Sequence, residues 1–241
     1  MYMKVVISQP MYFPWVGFLE QIALADIYIH YSDVQFSKGS LTNRVQIKTD
    51  RGSRWLTVPL DHMKLGQRVN EVLINHSIDW RADHIRKLIM AYHSCPFFGE
   101  MMDLVTCVYE ETYATIDKLS EASVEALSSY FGLTDGCRFI HSTDLGVAGF
   151  GSRRVLDLVH LVGGTEYITG HGARNYLDHR QFDLEGIKVS YIDYQKKPYE
   201  QLHGPFTPFV SALDVIANMG KSGRDVICSG TRYWKDFLAH E

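Results

Sequence analysis

The stretch KVVISQPMYFPWVGFLEQIALADIYIHY, at residues 4–31, decides the fold. Residues 5–7 form a short apolar run that stops before Pro10, as expected of a buried strand. Pro14 suits the first turn of a helix, and the apolar residues after it recur at helical spacing. Residues 26–31 alternate in polarity and predict a second strand. Strand, helix and strand within about 30 residues indicate a βαβ unit with parallel strands.

The middle of the chain adds a hairpin and helices to this pattern. Residues 43–48 and 54–59 flank a polar turn, which predicts a β-hairpin. Residues 77–131 predict a helical block, because apolar residues keep helical spacing between the cap Asp79 and the helix terminator Gly132.

The strand and helix alternation returns after the helical block. Strands are predicted at 138–141, 166–169 and 187–192, with helices at 152–162 and 210–219. This order predicts an α/β fold with a mainly parallel, Rossmann-like sheet, flanking helices, a β-hairpin insertion and a helical block in the middle. We expect a single domain over residues 1–241, with 77–131 as a helical subregion.

Composition excludes several classes of protein. The 241 residues carry a net charge of -4, which argues against binding to nucleic acid through many phosphate contacts. The four cysteines show no C-x-x-C spacing and the histidines no metal-binding motif, so neither disulfides nor a metal site are expected. The N-terminus lacks the apolar region of a signal peptide, and no apolar run approaches the roughly 18 residues of a membrane span. We therefore expect a cytoplasmic protein without an integral membrane segment.

Ligands of parallel sheets bind beyond the carboxyl ends of the strands. This rule selects the loops after Ile7, Tyr31, His141 and Thr169. The first of these loops carries Gln9, Tyr12 and Trp15 and opens a helix, whose free N–H groups attract anions. Its aromatic rings could wall a base or sugar, or could simply pack the loop onto the sheet.

The segment after the second strand is rich in polar side chains. It contains Asp33, Gln35, Lys38, Asn43, Arg44 and Lys48. The guanidinium of Arg44 matches a phosphate or carboxylate, and the amides can bind hydroxyl and carbonyl groups. The segment therefore predicts a site for a polar, phosphate-bearing small molecule; the alternative is a solvated surface loop.

Two histidines lie at positions that suit chemistry. His84 is on the polar face of the helix that Asp79 caps, and His171 follows a predicted strand. A histidine that is neutral near pH 7 can act as a general base, although a lone histidine also serves in packing.

The chain resembles the WbqC-like family over essentially its whole length. The likeness is carried by residues 9–17, Asp33-Val34-Gln35, Lys38, Asn43-Arg44, Ile47-Lys48, residues 55–59, Trp80, His84, Tyr92, residues 96–98, Tyr167, Gly170, Tyr176-Leu177, Tyr199, Gln201, Phe206 and residues 211–220. One position departs from the pattern, since Ser32 stands where the family usually has an acid. The resemblance adds Tyr199 and Gln201 to the expected substrate-binding residues.

The resemblance implies a function in bacterial surface-polysaccharide synthesis, because family members occur in O-antigen gene clusters. They have been proposed to transfer glycine to an amino sugar. The implied activity is an aminoacyl (glycyl) transferase that forms an amide on an amino sugar, nucleotide-linked, with a carrier protein or another activated glycine donor as partner. An ATP-dependent amide ligase on the same acceptor and a non-catalytic binding protein of the same pathway are the alternatives. The cofactor is not identified.

This reaction assigns roles to the candidate residues. Lys38, Arg44 and Lys48 would hold a diphosphate, and Asp33 or His84 would act as the base. Gln9, Asn43 or the backbone N–H groups at the first helix would stabilise the oxyanion. The expected substrate-binding residues are Gln9, Tyr12, Trp15, Gln35, Lys38, Asn43, Arg44, Lys48, His171, Tyr199 and Gln201.

Overall fold

A computed structural model describes residues 2–239 and confirms the α/β class. The strands are β1 (Lys4–Ser8), β2 (Ile27–His30), β3 (Arg44–Thr49), β4 (Gly52–Thr57), β5 (Arg138–His141), β6 (Glu166–Thr169), β7 (Lys188–Tyr194) and β8 (Ser229–Tyr233). The helices are α1 (Val16–Leu24), α2 (Trp80–Tyr92), α3 (Phe98–Glu110), α4 (Ile116–Tyr130), α5 (Gly151–Leu161), α6 (His179–Leu184), α7 (Ala212–Met219) and α8 (Trp234–Ala239).

The central sheet has the strand order β5-β2-β1-β6-β7-β8. All neighbouring pairs are parallel except β7 and β8, which are antiparallel. The chain builds the β1, β2 and β5 half first and then crosses to β6 on the other side of β1. This reversal of strand order is the point at which Rossmann-like sheets bind their ligands. The hairpin of β3 and β4 forms a separate two-stranded sheet.

Helices cover both faces of the sheet. Tyr28 belongs to the core under α1, the hairpin, the α2–α4 block and α7, whereas Ile29 belongs to the core under α5, α6 and α8. Successive residues of a strand point to opposite faces, so β2 supplies side chains to both cores. Every residue of β2 and β6 is therefore buried, as is usual for parallel strands between two helical layers.

The sequence did not predict three C-terminal elements, α6, β8 and α8. Strand β8 lacks the apolar alternation of a half-buried strand, since its sequence is SGTRY and its central residues are exposed. Helix α6 has six residues, too few for a periodic pattern. The single-domain interpretation of residues 1–241 stays a prediction, and residues 1, 240 and 241 of that span lie outside the described residues. Between residues 2 and 239, no helix combines the length and apolar character that a membrane span requires.

Candidate functional site

A cleft of about 1040 Å³ lies beyond the carboxyl ends of β1 and β6, where the strand order reverses. Gln9 enters it from the loop after β1, Asp33 from the loop after β2, and Gly170 and His171 from the loop after β6. The start of α5 closes another side with Phe150. The cleft therefore occupies the position at which this class of sheet binds small molecules.

The loop after β1 is held in place by hydrogen bonds from distant segments. Phe13 has a φ of 39°, in the left-handed region that a bulky residue adopts only when its surroundings enforce it. Its N–H donates to Ser123 Oγ at 2.9 Å, and its carbonyl oxygen accepts from Ser211 Oγ at 2.7 Å. The N–H of Tyr12 donates to the carbonyl oxygen of Leu41 at 3.1 Å. These bonds fix the geometry of the loop before any ligand arrives.

The indole of Trp15 lies against Gly17 in the first turn of α1. A Cβ atom at Gly17 would lie 2.2 Å from Trp15 Cη2, so the glycine is what allows the indole to occupy this place. The indole packs on Tyr194, with ring centroids 5.1 Å apart, and lines the cleft. The side chain of Trp15, at the N-cap, makes no capping hydrogen bond within the described chain. The N–H groups of the first turn are thus not occupied by this side chain.

Asp33 is held by two partners at the edge of the cleft. Ser142 Oγ donates to Asp33 Oδ1 at 2.6 Å, and the guanidinium of Arg154 donates to Asp33 Oδ2. Arg154 is 5% exposed, donates through Nε to the carbonyl oxygen of Val147, and lies 5.0 Å from the ring of Tyr31. Burial raises the pKa of Asp33, but the hydrogen bonds from Arg154 and Ser142 and the charge of Arg154 outweigh it and leave the pKa below its usual value. Asp33 is therefore an ionised carboxylate at neutral pH.

His171 has a defined tautomer. Its Nε2 lies 2.8 Å from the carbonyl oxygen of Ile192, and a carbonyl oxygen only accepts, so Nε2 carries the proton. The neutral ring then has its lone pair on Nδ1. Tyr194 and Phe237 flank the ring, with centroid distances of 5.1 and 4.7 Å. His171 thus presents a basic nitrogen on an imidazole whose orientation is fixed by its surroundings.

Several residues of the cleft were not predicted from the sequence. They are Gln21, Tyr31, Arg68, Phe150, Arg154, Thr169 and Tyr194. A usable signal existed for Arg154, because it lies in the first turn of the helix that follows β5, and such first turns face the ligand edge of the sheet. Arg68 lies outside the helices and strands that pattern reasoning identified.

Tyr12 and His84 lie together in the core beside the hairpin. Tyr12 is fully buried and His84 is 1% exposed. Nε2 of His84 donates to the carbonyl oxygen of Thr57 at 3.2 Å, which leaves Nδ1 to accept from the hydroxyl of Tyr12 at 2.9 Å. The hydroxyl of Tyr109 contacts both side chains. Burial lowers the pKa of His84 to about 4, so the imidazole is neutral at physiological pH.

Lys48, Tyr199 and Gln201 form another group, beside a separate cleft of about 540 Å³. Lys48 Nζ donates to Gln201 Oε1 at 2.8 Å, and Gln201 Nε2 donates to the hydroxyl of Tyr199 at 2.9 Å. The Tyr199 hydroxyl in turn donates to Asp214 Oδ1 at 2.7 Å. Asp214 is 1% exposed, and this burial raises its pKa. The ammonium of Lys48 also binds the carbonyl oxygens of Gly204 and Pro205 and thereby anchors their loop to the hairpin.

The remaining candidates surround the base of the hairpin. Asn43 Nδ2 donates to the carbonyl oxygen of Val58 at 3.0 Å, and Arg44 lies 4.5 Å from the ring of Trp55. Lys38 lines a smaller pocket of about 480 Å³ that shares Gln35 with the main cleft. Of the predicted site residues, the structure brings Gln9, Trp15, Asp33, Gln35 and His171 together in the main cleft.

Comparison with known proteins gives the family. The sequence model of the WbqC-like protein family matches residues 9–226, and this span contains every predicted site residue. The chain belongs to the WbqC-like protein family. This WbqC-like chain is also similar to the uncharacterized protein Rv1507c of Mycobacterium tuberculosis, with 36% identity over 227 residues, 93% of this chain and 97% of that protein. The crystal structure of CmiS6 matches 78% of this chain and 57% of its own, with 11% identity and a TM-score of 0.18, which carries no argument about the fold.

Proposed function

We propose that this WbqC-like chain is an aminoacyl transferase that joins glycine to the amine of a nucleotide-linked amino sugar, in the cytoplasm, during bacterial surface-polysaccharide synthesis. The observation that carries the proposal is Asp33, a fixed and ionised carboxylate in a polar cleft at the reversal of strand order. The family resemblance suggests the glycine and the sugar. The cleft supplies the groups that binding and activating an amine requires.

Asp33 is suited to hold the amine in its ammonium form. Each carboxylate oxygen has about two acceptor sites, and Ser142 and Arg154 each occupy one. The side chain keeps 15% of its surface exposed, so it can accept a further hydrogen bond from a ligand. Its low pKa favours holding a cation over removing the proton from it.

His171 is suited to take the proton. The amine must become neutral before it can attack a carbonyl carbon, and Nδ1 of His171 carries a lone pair in the same cleft. We therefore assign Asp33 to binding and His171 to proton transfer. His84 lies in the core and supports the loop after β1 through Tyr12, so this assignment gives it no proton-transfer role.

The proposed reaction balances with a thioester of glycine on a carrier protein as donor. The amine nitrogen attacks the glycyl carbonyl carbon, the C–N bond forms, and the C–S bond breaks. The ammonium loses two protons in all. His171 takes the first and releases it to solvent, and it passes the second, which leaves the nitrogen as the C–N bond forms, to the thiolate, which departs as a thiol. The amide of Gln9, which lines the cleft, would donate to the oxyanion, and such donors typically contribute about 3–4 kcal/mol to transition-state stabilisation.

The test is to incubate the purified chain with UDP- and dTDP-linked amino sugars and the glycyl thioester of N-acetylcysteamine. Mass spectrometry should show an acceptor heavier by one glycyl residue. Asp33→Asn should lower kcat/KM at least about tenfold, the cost of a hydrogen bond to a charged group. Asp103→Asn, on the exposed side of α3, is the matched control and should be unaffected.

Other outcomes separate the alternatives. A product that forms only with free glycine and ATP, with release of AMP and pyrophosphate, would identify a ligase. Tight binding of the amino sugar with no product from any donor would refute catalysis and leave a binding protein.

A further inference from the structure

A second pocket of about 390 Å³ opens directly beside the main cleft. It shares Met11, Trp15 and Leu41 with the cleft, so the two form one continuous surface. Its remaining walls come from the Pro14 turn, strand β3, strand β4 and the Phe209 loop. Tyr12 and Trp15, whose rings were expected to wall a base or sugar, line this pocket, and the proposed chemistry gives it no role.

Part of the pocket wall consists of aromatic rings that folding leaves accessible. Trp55 is 39% exposed and Phe209 is 57% exposed, and Trp15 lies between the pocket and the cleft. The ring centroids of Trp15 and Phe209 are 6.0 Å apart. Exposed apolar surface that lines a concavity is typical of a ligand site, and aromatic walls favour planar ligands. Gln46, which also lines the pocket, carries an amide that can both donate and accept hydrogen bonds.

Cations lie against both exposed rings. The guanidinium of Arg44 is 4.5 Å from the centroid of Trp55, and Lys196 Nζ is 5.3 Å from the centroid of Phe209. Nε of Arg44 is buried without a hydrogen-bond partner among residues 2–239. Positive charge therefore borders an apolar pocket, an arrangement that fits a ligand with a planar ring and an anionic group.

We propose that this pocket binds the base of a nucleotide, with its phosphates next to Arg44 and Lys196. The amino sugar attached to these phosphates then extends past Trp15 into the main cleft towards Asp33. This inference rests on the proposed function for the identity of the substrate, because a nucleotide-linked sugar is what would fill both spaces at once. A pocket of this size lies within the range of about 300–1,000 Å³ that small-molecule sites occupy.

The experiment is calorimetric titration of the intact chain with UDP and ADP, and with ribose 5-phosphate as a probe that lacks a base. Trp55→Ala should weaken the binding of at least one nucleotide about 5- to 100-fold, the range expected when a base loses an aromatic stacking partner. Trp55→Phe retains a ring and should restore most of the affinity. Ribose 5-phosphate should bind the wild type and Trp55→Ala equally. Phe209→Ala, in a loop rather than the hairpin, tests a second aromatic ring of the pocket wall.

The outcomes separate this inference from the proposed function. Equal nucleotide affinity of Trp55→Ala, Phe209→Ala and the wild type would overturn the pocket assignment. It would not bear on the proposed glycyl transfer. Absence of nucleotide binding to the wild type would also overturn it. Titration with pantetheine provides a further arm, because binding of pantetheine that Trp55→Ala abolishes, without nucleotide binding, would show that the pocket takes a carrier arm. Trp55-dependent nucleotide binding by a chain that forms no glycyl product would support the pocket and refute the proposed reaction.

Discussion

Replacing Arg154 by methionine removes the cation from Asp33 and keeps an unbranched apolar side chain in the packing position. Arg154 is 5% exposed and Asp33 15%. Removing one partner of a buried ion pair costs about 3–5 kcal/mol, because the other charge stays in the interior without compensation. The residual exposure of Asp33 places the expected loss of unfolding free energy at the lower end, about 3 kcal/mol at neutral pH.

The loss should depend on pH with a definite sign. In the wild type the folded pKa of Asp33 lies below the unfolded value of about 4. The pair therefore stabilises fully above that unfolded value, and this contribution is lost as the pH falls through the folded pKa. In Arg154→Met, the hydrogen bond and the charge of Arg154 no longer oppose the effect of burial, so the folded pKa of Asp33 rises and acid relieves the destabilisation. The difference in unfolding free energy between the wild type and Arg154→Met should shrink on acidification. The change is about 1.4 kcal/mol for each unit by which their folded Asp33 pKa values differ.

Urea unfolding followed by circular dichroism at about pH 7.5 and about pH 3 measures this difference. Arg153→Met is the matched control, because Arg153 is the preceding residue, is 59% exposed and pairs with Asp157 on the surface of α5. It should cost about 0.5 kcal/mol or less at either pH. An Arg154→Met loss that is equal at both pH values, or no larger than that of the control, would refute the role assigned to this pair.

Two further predictions concern the cores beside the site. Gly164→Ala should destabilise the chain by about 1–3 kcal/mol in thermal unfolding, because the new Cβ would lie 2.6 Å from Val5 Cγ2 and 2.7 Å from Val159 Cγ1. Gly99→Ala, where a Cβ meets no described atom within 4 Å, should be neutral or stabilising by up to about 1 kcal/mol; equal effects of the two would contradict the packing argument. The pKa of His84 falls to about 4 from 6.5, so the wild type should lose about 1.4 kcal/mol per pH unit on acidification between these values, and His84→Gln should give a flatter stability profile. An unchanged slope in the variant would assign the acid sensitivity to other groups.

Local patterns in the sequence predicted most of the parallel sheet and the place of its cleft. The residues at 5–7 and at 166–169 predict buried strands by themselves, and both segments are buried in the structure. Both belong to strand and helix alternations that predict a parallel sheet, and the ligand rule for such sheets selects the loops after them. That β1 and β6 are neighbours is seen only in the structure. Gln9 and His171 follow from this reasoning because each comes directly after one of these strands.

Contacts between distant residues could not be predicted in the same way. Arg154 and Asp33 are 121 residues apart, and Lys48 and Gln201 are 153 apart. A sequence shows that each is polar, but not which partner its folded backbone brings near. The segment after β2 illustrates this, because its cations Lys38, Arg44 and Lys48 were expected to hold one diphosphate together. In the structure Lys48 is 5% exposed and anchors a loop, whereas Lys38 is exposed beside the cleft.

The hairpin and the helical block, inserted between β2 and β5, explain how a plain parallel sheet acquires a fixed binding loop. Ser123 of α4 holds the N–H of Phe13, and Leu41, next to the hairpin, holds the N–H of Tyr12. Phe13 at a positive φ costs on the order of 1–3 kcal/mol, and these hydrogen bonds offset that cost. Without them the loop after β1 would relax to another conformation. The insertion therefore sets the positions of Gln9 and Trp15 before ligand binding. Because the loop is already ordered, ligand binding does not cost conformational entropy there. A loop that became ordered only on binding would weaken the affinity of the site.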